Sequence, residues 1–282
     1  MKTGILTFEQ FHGKKDIGSS RIRGHWIVKH WKEVGDDIGD CEIFKYGQHY
    51  DCVIYQKAYF VDHAREFKGK KILDLCDPDW LIWTGKVVEM IQEVDAITCS
   101  SLELTKAVSK FTDKPVYLVP DRVDFTGLPA PKKHYGPTKR IVWFGYSHNF
   151  PILDSTINAL NKRGLDLIVI ADNIYSPPAA FKIKLENFPF NGLHYMNDIQ
   201  KGDVVINPRF TKGKWKYKSE NKTAIAWALG MPVAHTEIEL DTLLTQEQRQ
   251  KSVEKSFEKA KNEFDIKLSV VDYKDIIQEI KK

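Results

Sequence analysis

Several features that mark whole protein classes are missing from this chain. Its four cysteines, at positions 41, 52, 76 and 99, form no Cys-x-x-Cys pair and no Cys/His cluster with zinc-ligand spacing, which excludes the usual zinc modules and indicates reduced thiols. The nine histidines contain no His-x-His or His-Glu-x-x-His pattern, so no metal site is predicted. No apolar run approaches the roughly 18 residues of a membrane-spanning helix, and the N-terminus becomes charged before a signal-peptide core develops. We therefore expect a soluble, cytoplasmic protein.

A strong charge of either sign is missing as well. The 42 lysines and arginines exceed the 38 aspartates and glutamates by four, and the isoelectric point is about 8.6. This excess suits an anionic ligand without demanding nucleic acid. The 282 residues are 42% hydrophobic and 12% aromatic, enough for a substantial core, and their number suggests two domains of about 100–150 residues.

Short apolar runs alternate with helical patterns in the first half of the chain. Strands are predicted at residues 4–8, 41–44, 52–55, 71–76, 95–99 and 116–119. A 3.6-residue periodicity predicts helices at residues 22–31, 83–94 and 102–111. This alternation indicates a parallel sheet that is covered on both faces.

The same alternation restarts after a proline-rich, polar stretch, which we interpret as an interdomain linker. Strands are predicted at residues 140–145, 165–171, 188–190 (weakly), 203–207 and 232–234, with a helix at 152–162 and a loop at the Pro177–Pro178 pair. In the tail, residues 245–282, the sequence predicts a helix at 246–264, a short apolar run at 267–271 and a last helix at 273–280. The predicted fold is α/β, with two Rossmann-like domains in tandem. Their bounds are 1–125, a linker at 126–139, 140–265, and a C-terminal helix within 266–282.

Residues 215–222 and the apolar helix that follows them carry the clearest functional signal. Ser219 and Asn221 supply capping groups, and Lys218 and Lys222 lie at the first turn, just after the predicted strand 203–207. A helix that begins at the carboxyl edge of a parallel sheet offers free N–H groups and a positive dipole end, which favour a phosphate. The positive charge of a lysine interacts unfavourably with the positive end of the helix dipole, unless a bound anion compensates for it. The alternative is an ordinary amphipathic helix with a solvated basic start.

Two further loops should lie at the same edge of the second sheet. Gly145, Tyr146, Ser147 and His148 follow its first strand, where the glycine allows close approach and the next residues offer hydrogen-bond donors. Asp172 and Asn173 end the strand at 165–171, where contacts to the base or ribose of a nucleotide are expected. Donors that converge from more than one side favour phosphate recognition. A glycine turn with surface polar residues is the alternative.

Three motifs, at 142–149, 206–209 and 217–222, together resemble those of GT-B glycosyltransferases of the family 4/1 type in a short form, and residues 19–23 resemble them more weakly. The resemblance implies a cleft between the two domains, with a UDP- or GDP-linked sugar held by the second and an acceptor by the first. It also implies that the C-terminal helix packs back on the first domain. Arg209, Lys218 and Lys222 would neutralise the leaving diphosphate. His148, beside the glycine loop, is the one histidine proposed as a catalytic residue, and no metal or other cofactor is expected.

The chain departs from this family at one point. Many retaining members carry two glutamates eight positions apart, but the matching positions here are Tyr217 and Ile225. Glu220 is the candidate substitute for a ribose or sugar contact. The departure leaves retention or inversion open, and it makes a nucleotide-sugar-binding protein without catalysis a rival hypothesis.

The first half of the chain contains candidate residues for binding and activating the acceptor. Asp77 and Asp79 follow the strand at 71–76, and Asp77 is the preferred general base, whereas Asp79 is better placed to cap the next helix. Their Asp-x-Asp spacing also resembles the metal motif of GT-A enzymes, but the phosphate loops lie in the wrong half for that fold. Ser20, Arg21 and Arg23 open a helix, where the arginines could bind a donor phosphate or an anionic acceptor. A solvated helix start is the alternative.

The predicted activity is therefore transfer of a hexosyl or pentosyl group from a nucleotide sugar, without an essential metal. A bacterial surface glycan is the default acceptor. A hydroxylated base in DNA is an alternative, because compact GT-B enzymes of phages glucosylate DNA. Epimerisation or hydrolysis of a nucleotide sugar is a further alternative, and the oligomeric state stays open.

Overall fold

The structure consists of two compact units, each built around a parallel sheet. The computed structural model describes residues 1–177, 182, 184–192 and 194–282, so the loop predicted at Pro177–Pro178 lies partly outside the described residues. These residues divide into two compact units. Unit 1 comprises Met1–Asp124, Lys214–Glu220 and Phe264–Lys282, and unit 2 comprises Phe125–Gly213 and Asn221–Glu263.

In unit 1 the strand order is β2-β1-β3-β4-β5-β6, and every pairing is parallel. The strands are β1 Lys2–Leu6, β2 Asp40–Ile43, β3 Cys52–Gln56, β4 Lys70–Leu75, β5 Ala96–Cys99 and β6 Val116–Leu118. Successive residues of a strand point to opposite faces, and here both faces are buried. Val53 and Tyr55 pack into one apolar cluster, whereas Cys52 and Ile54 pack into another. This double burial explains the continuous apolar runs in the sequence.

Helices cover both faces of this sheet. They are Phe8–His12, Gly18–Ser20, Trp26–His30, Val61–Glu66, Thr84–Glu93, Leu102–Val108 and Ile266–Lys281, with a π-helical turn at Arg21–His25 and 3-10 turns at Asp79–Leu81 and Gly213–Tyr217. Because Ile266, Val270, Tyr273 and Ile277 belong to the same cluster as Ile54, the C-terminal helix is part of the unit 1 core.

The tail differs from its prediction. Residues 267–271 do not form a separate run before the last helix but lie inside the single helix Ile266–Lys281. Asp265 caps it, with its carboxylate accepting from the backbone N–H of Lys267 at 2.9 Å. Apolar residues at positions 266, 270, 273 and 277 form one helical stripe. The short run was therefore the first part of that stripe.

Unit 2 has five parallel strands in the order β11-β10-β7-β8-β9. They are β7 Arg140–Phe144, β8 Asp166–Ala171, β9 Leu185–Pro189, β10 Val204–Ile206 and β11 Val233–Ala234. The helices are Phe150–Asp154, Ile157–Arg163, Tyr195–Ile199, Asn221–Ala228, Glu237–Thr242 and Gln246–Glu263, and a 3-10 turn lies at Ser147–Asn149. None of the helices in the described residues combines the length and apolar character needed to cross a membrane.

Part of the predicted linker is firmly attached to unit 2. The guanidinium of Arg249, a fully buried side chain, donates to the backbone oxygens of Gly136, at 2.6 Å, and Leu244, at 3.2 Å. It also donates to the hydroxyl of Thr138. His134 contacts the backbone oxygen of Gly230 at 2.8 Å. Proline-rich composition therefore predicted the lack of helix and strand here, but the tertiary contacts of this stretch have no local sequence signal.

Candidate functional site

Three of the predicted site residues, Ser147, Asp172 and Asn173, contact one another at the carboxyl ends of β7 and β8 in unit 2. The backbone N–H and the hydroxyl of Ser147 donate to the two carboxylate oxygens of Asp172, at 2.6 and 3.1 Å. The amide of Asn173 donates to the same hydroxyl at 2.9 Å. Asp172 and Asn173 are exposed. These three residues form a polar cluster with carboxylate, amide and hydroxyl groups at the surface, a set that suits the hydroxyls of a ribose or sugar.

Tyr146 and His148 lie beside that cluster. Their rings stack with centroids 5.9 Å apart, and both side chains are exposed. His148 also lies 3.1 Å from the amide nitrogen of Asn149. Stacked aromatic rings at a sheet edge offer a flat apolar surface.

Lys222 lies against the first strand of the same sheet. Its ammonium group is 4.5 Å from the centroid of the Trp143 ring, near Gly145. Lys222 is the second residue of the helix Asn221–Ala228, which the sequence predicted as an anion site. Asn221, the first residue, has a side-chain amide nitrogen that is buried and has no hydrogen-bond partner among the described residues. A buried donor of this kind is costly unless it meets an acceptor.

The end of β10 completes this edge of unit 2. Asn207 follows the strand, and its amide donates to the hydroxyl of Thr223 at 3.0 Å, which fixes the helix Asn221–Ala228 to the strand end. Arg209, two residues further on, is partly exposed. The edge therefore combines a helix N-terminus with lysine, arginine and amide donors, which are the groups that bind phosphates.

The segment Lys214–Glu220 belongs to unit 1. Ser101 donates to the backbone oxygen of Tyr217 at 2.7 Å, and the Tyr217 ring lies 5.5 Å from that of Trp80. Lys218 donates to Asp77 at 2.6 Å. The sequence predicted one continuous phosphate-binding group from Lys218 to Lys222. The structure instead divides it between the two units, because the hydrogen-bond partners of the 214–220 segment lie 98 to 141 residues away in the chain.

Ser219 and Glu220 are also part of that segment. The Ser219 hydroxyl donates to Asp121 at 2.6 Å. Glu220 is exposed and is the last residue of the segment. Ser219 was predicted as a capping group of the following helix, but that helix begins two residues later, at Asn221.

Asp77 and Asp79 meet a lysine that sequence reasoning missed. Lys57, the residue after β3, is buried and contacts Asp77 at 2.7 Å and Asp79 at 3.4 Å. Its backbone has a φ of 51°, a conformation that is uncommon outside glycine. Tyr59 donates to Asp79 at 2.5 Å. The only available signal was position, because residues that follow neighbouring parallel strands share one sheet edge.

The two aspartates differ in acidity. Desolvation raises the pKa of Asp77, but the charges of Lys57 and Lys218 outweigh it and hold this pKa well below its ordinary value. Burial raises the pKa of Asp79 above its ordinary value, a shift that Lys57 opposes and the charge of Asp77 reinforces. Asp77 is thus a firmly ionised carboxylate. Asp79 is 3% exposed, so it is poorly accessible to a substrate.

Arg23 and Ser20 do not face solvent, contrary to the prediction that they open a phosphate-binding helix. All five N–H groups of Arg23 have partners: two contact Asp74, and the others contact Asp121, Tyr273 and the backbone oxygen of Val119. Ser20 is fully buried and donates to Gln56 at 3.1 Å. The π-helical turn at Arg21–His25 contains the buried Arg23, and amphipathic periodicity alone does not predict such a turn. Arg21 is partly exposed, with its guanidinium 5.8 Å from the Trp26 ring.

No family model matches the sequence, and no curated protein matches it. Solved structures do. HepE from Anabaena, solved with UDP and glucose, superposes with a TM-score of 0.72 at 12% identity, over 99% of this chain and 100% of HepE. The chain has the GT-B fold.

Two further GT-B structures support the same conclusion. The β-glucosyltransferase of phage T4 superposes with a TM-score of 0.61 at 11% identity, over 98% of this chain and 99% of the phage enzyme. TarM superposes with a TM-score of 0.62 at 8% identity over 89% of this chain, which spans only 57% of TarM. These similarities confirm the tandem Rossmann-like fold that the sequence predicted. At such identities they establish the fold alone.

Proposed function

We propose that this protein is a glycosyltransferase that moves a sugar from a UDP- or GDP-linked donor to an acceptor hydroxyl. The observation that carries the proposal is the phosphate-suited edge of unit 2. There Lys222 lies beside Gly145, and the buried amide of Asn221 lacks a partner at the start of a helix. A diphosphate would satisfy that amide and would also remove the unfavourable interaction between Lys222 and the helix dipole.

Charge develops on the leaving diphosphate as the bond to the sugar breaks. Lysine and arginine groups that are already in position stabilise this charge, which accelerates the reaction. We assign that role to Lys222 and Arg209 of unit 2. Ser147, Asp172 and Asn173 would hold the ribose or sugar hydroxyls, because their cluster presents both donors and acceptors.

We assign the general base to Asp77. Its side chain is 27% exposed, so an acceptor hydroxyl could reach it, whereas Asp79 is buried. In an inverting reaction the hydroxyl gives its proton to the carboxylate while its oxygen bonds to the anomeric carbon. As that bond forms, the bond from the anomeric carbon to the phosphate oxygen breaks, and its electron pair leaves with the nucleotide. This chemistry needs no metal when cationic side chains stabilise the phosphates.

The donor sugar is proposed to be a hexose or pentose and the acceptor a glycan. DNA with a hydroxylated base is a second candidate acceptor, supported by the full-length similarity to the T4 enzyme, which is described as DNA-modifying. We place the reaction in the cytoplasm because the four cysteines are free, as is usual in reducing compartments.

The test is donor turnover in the wild type and in two lysine variants. Purified protein is incubated with UDP- and GDP-sugars and with candidate glycan or DNA acceptors, and nucleotide release and product mass are measured. Lys222→Ala should lower turnover at least about tenfold, since one charge-assisted contact is lost, and should leave the melting temperature nearly unchanged. Lys162→Ala is the matched control, because Lys162 is an exposed lysine of unit 2 that precedes the amino-terminal end of β8.

Each outcome separates the rival hypotheses. Wild-type turnover in Lys222→Ala would contradict the phosphate assignment. Tight nucleotide binding without nucleotide release, over long incubation with every acceptor, would favour a binding protein. Nucleotide release or an isomerised donor without any acceptor would favour hydrolysis or epimerisation. Duplex DNA as acceptor predicts binding that weakens steeply as salt rises, because neutralised phosphates release counterions.

A further inference from the structure

Asp79 is a buried carboxylate that the proposed mechanism does not use. Only 3% of the residue is exposed, so it is poorly accessible to a substrate. It is not the cap of the next helix, because that helix begins at Thr84 and has Trp83 at its N-cap position. Its carboxylate accepts from the Tyr59 hydroxyl at 2.5 Å and lies 3.4 Å from the ammonium group of Lys57. The surroundings of Lys57 indicate what this carboxylate does.

Lys57 lies between two carboxylates and is largely shielded from water. Its side chain is 8% exposed, and its ammonium group is 2.7 Å from Asp77 and 3.4 Å from Asp79. The Phe8 ring also lies against this ammonium group, with its centroid 4.7 Å away. A charge that is buried in this way needs a partner of opposite charge, because water cannot replace that partner.

The proposed reaction removes one of the two partners. When an acceptor hydroxyl gives its proton to Asp77, the carboxylate becomes neutral and its ion pair with Lys57 is lost. Lys218, the other ammonium group at Asp77, is 33% exposed, so water can compensate it. Lys57 is too deeply buried for such compensation. Breaking a buried ion pair from one side is strongly unfavourable, and the cost would fall on the step in which the proton moves.

Asp79 supplies the missing negative charge. Resting on the proposed function, we infer that Lys57 passes from Asp77 to Asp79 as Asp77 takes up the acceptor proton. A movement of less than about 1 Å brings the ammonium group from its present 3.4 Å to the roughly 2.7–2.9 Å of a charge-assisted hydrogen bond. Burial raises the pKa of Asp79, but Lys57 and the Tyr59 hydroxyl both stabilise its ionised form. Asp79 is thus a positioning residue, which acts on the reaction through Lys57.

The charge balance of these three side chains favours this arrangement. With both carboxylates ionised, Asp77, Asp79 and Lys57 together carry one net negative charge before the proton moves and none afterwards. Without the charge of Asp79, the same step would leave a buried ammonium group alone. The carboxylate therefore lowers the energy of the state that follows proton transfer, and of the transition state that leads to it. Binding of the donor and the acceptor does not require it.

The test measures the chemical step separately from binding. Single-turnover reactions are run at saturating acceptor, with a UDP- or GDP-sugar and an acceptor that the wild type uses. Asp79→Asn keeps the size of the side chain and an oxygen for Tyr59, but it removes the charge. We expect this variant to react about 10- to 100-fold more slowly. The acceptor KM and the affinity for the nucleotide should change less than about twofold.

Two comparisons exclude a merely structural effect. Val87→Ala removes buried apolar volume from the core cluster that also contains Tyr59, so it should unfold in less urea. Its reaction rate should stay within about twofold of the wild-type rate, because no charge changes. The second comparison starts from Lys57→Gln, or from Lys57→Met if the glutamine variant folds poorly. There no buried ammonium group needs a partner, so adding Asp79→Asn should slow the reaction less than about twofold further.

A wild-type rate in Asp79→Asn would overturn the inference, and so would equal slowing by Asp79→Asn with and without Lys57. Full activity of Asp77→Asn would overturn it as well, because Asp77 would then not be the base. These results leave the proposed function in place as long as the wild type turns over a nucleotide sugar. If the wild type turns over none, the proposed function and the role of Asp79 fail together.

Discussion

The backbone of Gly145 leaves the space that the ammonium group of Lys222 occupies. A Cβ atom on Gly145 would overlap Lys222 Nζ, and it would lie 2.9 Å from Lys222 Cε and 3.3 Å from the Trp143 ring. The φ of Gly145, 151°, is also rarely adopted by other residues. The position of Lys222 therefore depends on the absence of a side chain at position 145.

Gly145→Ala should consequently weaken UDP binding about tenfold, because it displaces one charge-assisted phosphate contact. It should also cost about 1 kcal/mol or more of stability through the strained backbone. Gly164→Ala is the matched control: its φ is 61°, and a Cβ atom there would meet nothing within 4 Å. Calorimetry and urea unfolding measure both variants. An equal loss of UDP affinity in Gly164→Ala would contradict the steric explanation.

Arg23 should matter for stability and not for donor binding. Arg23→Met leaves Asp74, a fully buried carboxylate, without its cationic partner, and breaking such a pair costs about 3–5 kcal/mol. Urea unfolding measures the free energy of unfolding. Arg21→Met, two positions away and partly exposed, should cost less than about 1 kcal/mol. A folded Arg23→Met protein with full stability and weakened UDP binding would restore the phosphate role that the sequence suggested.

The acid limb of the pH–rate profile should report on Lys57. Its positive charge favours the ionised form of Asp77, so Lys57→Gln raises the pKa of that carboxyl. The acid limb of kcat/KM for the acceptor should then move to higher pH by about one unit or more. The control is Lys86→Gln, since the Lys86 ammonium group lies near the Phe11 ring, 5.7 Å from its centroid. If the limb stays in place in Lys57→Gln, Asp77 is not the base.

The four cysteines should be unreactive in the native protein. Burial raises the pKa of Cys52 and Cys99 to about 12, and it also raises those of Cys41 and Cys76. Thiolates are the reactive species, so native thiols should react slowly with a disulfide reagent at neutral pH. All four should react in urea. Rapid reaction of any thiol in the native protein would show that the region around that cysteine is more accessible than it is in this structure.

The sequence predicted the sheets well because their strands are buried on both faces and therefore consist of unbroken apolar runs. It failed where a contact joins residues that are distant in the chain. Lys218 was assigned to the helix of Lys222, which is four positions away, but its ion pair is with Asp77, 141 positions away. Arg23 was predicted to bind a phosphate or an anionic acceptor, with a solvated helix start as the alternative, and nothing local indicates its five hydrogen bonds to four buried partners.

Lys57 is a residue whose role also cannot be predicted from the local sequence. A lone lysine after an apolar strand carries no motif, so sequence reasoning passed over it. Its importance comes from the positions of Asp77 and Asp79, which follow the neighbouring strand. Positions at strand ends can be predicted, but the pairings between the side chains that meet there depend on tertiary packing.

The division of unit 1 among three chain segments has a consequence for synthesis on the ribosome. Unit 2 is complete once residue 263 has emerged, but unit 1 also needs Phe264–Lys282. Tyr273 of that last helix donates to the buried Asp74, and Val123 pairs with Asp265. Chains usually fold from the N-terminus as they are made. Here the first domain to be translated should be the last to finish, so its exposed sheet face is a target for chaperones until residues 264–282 have left the ribosome.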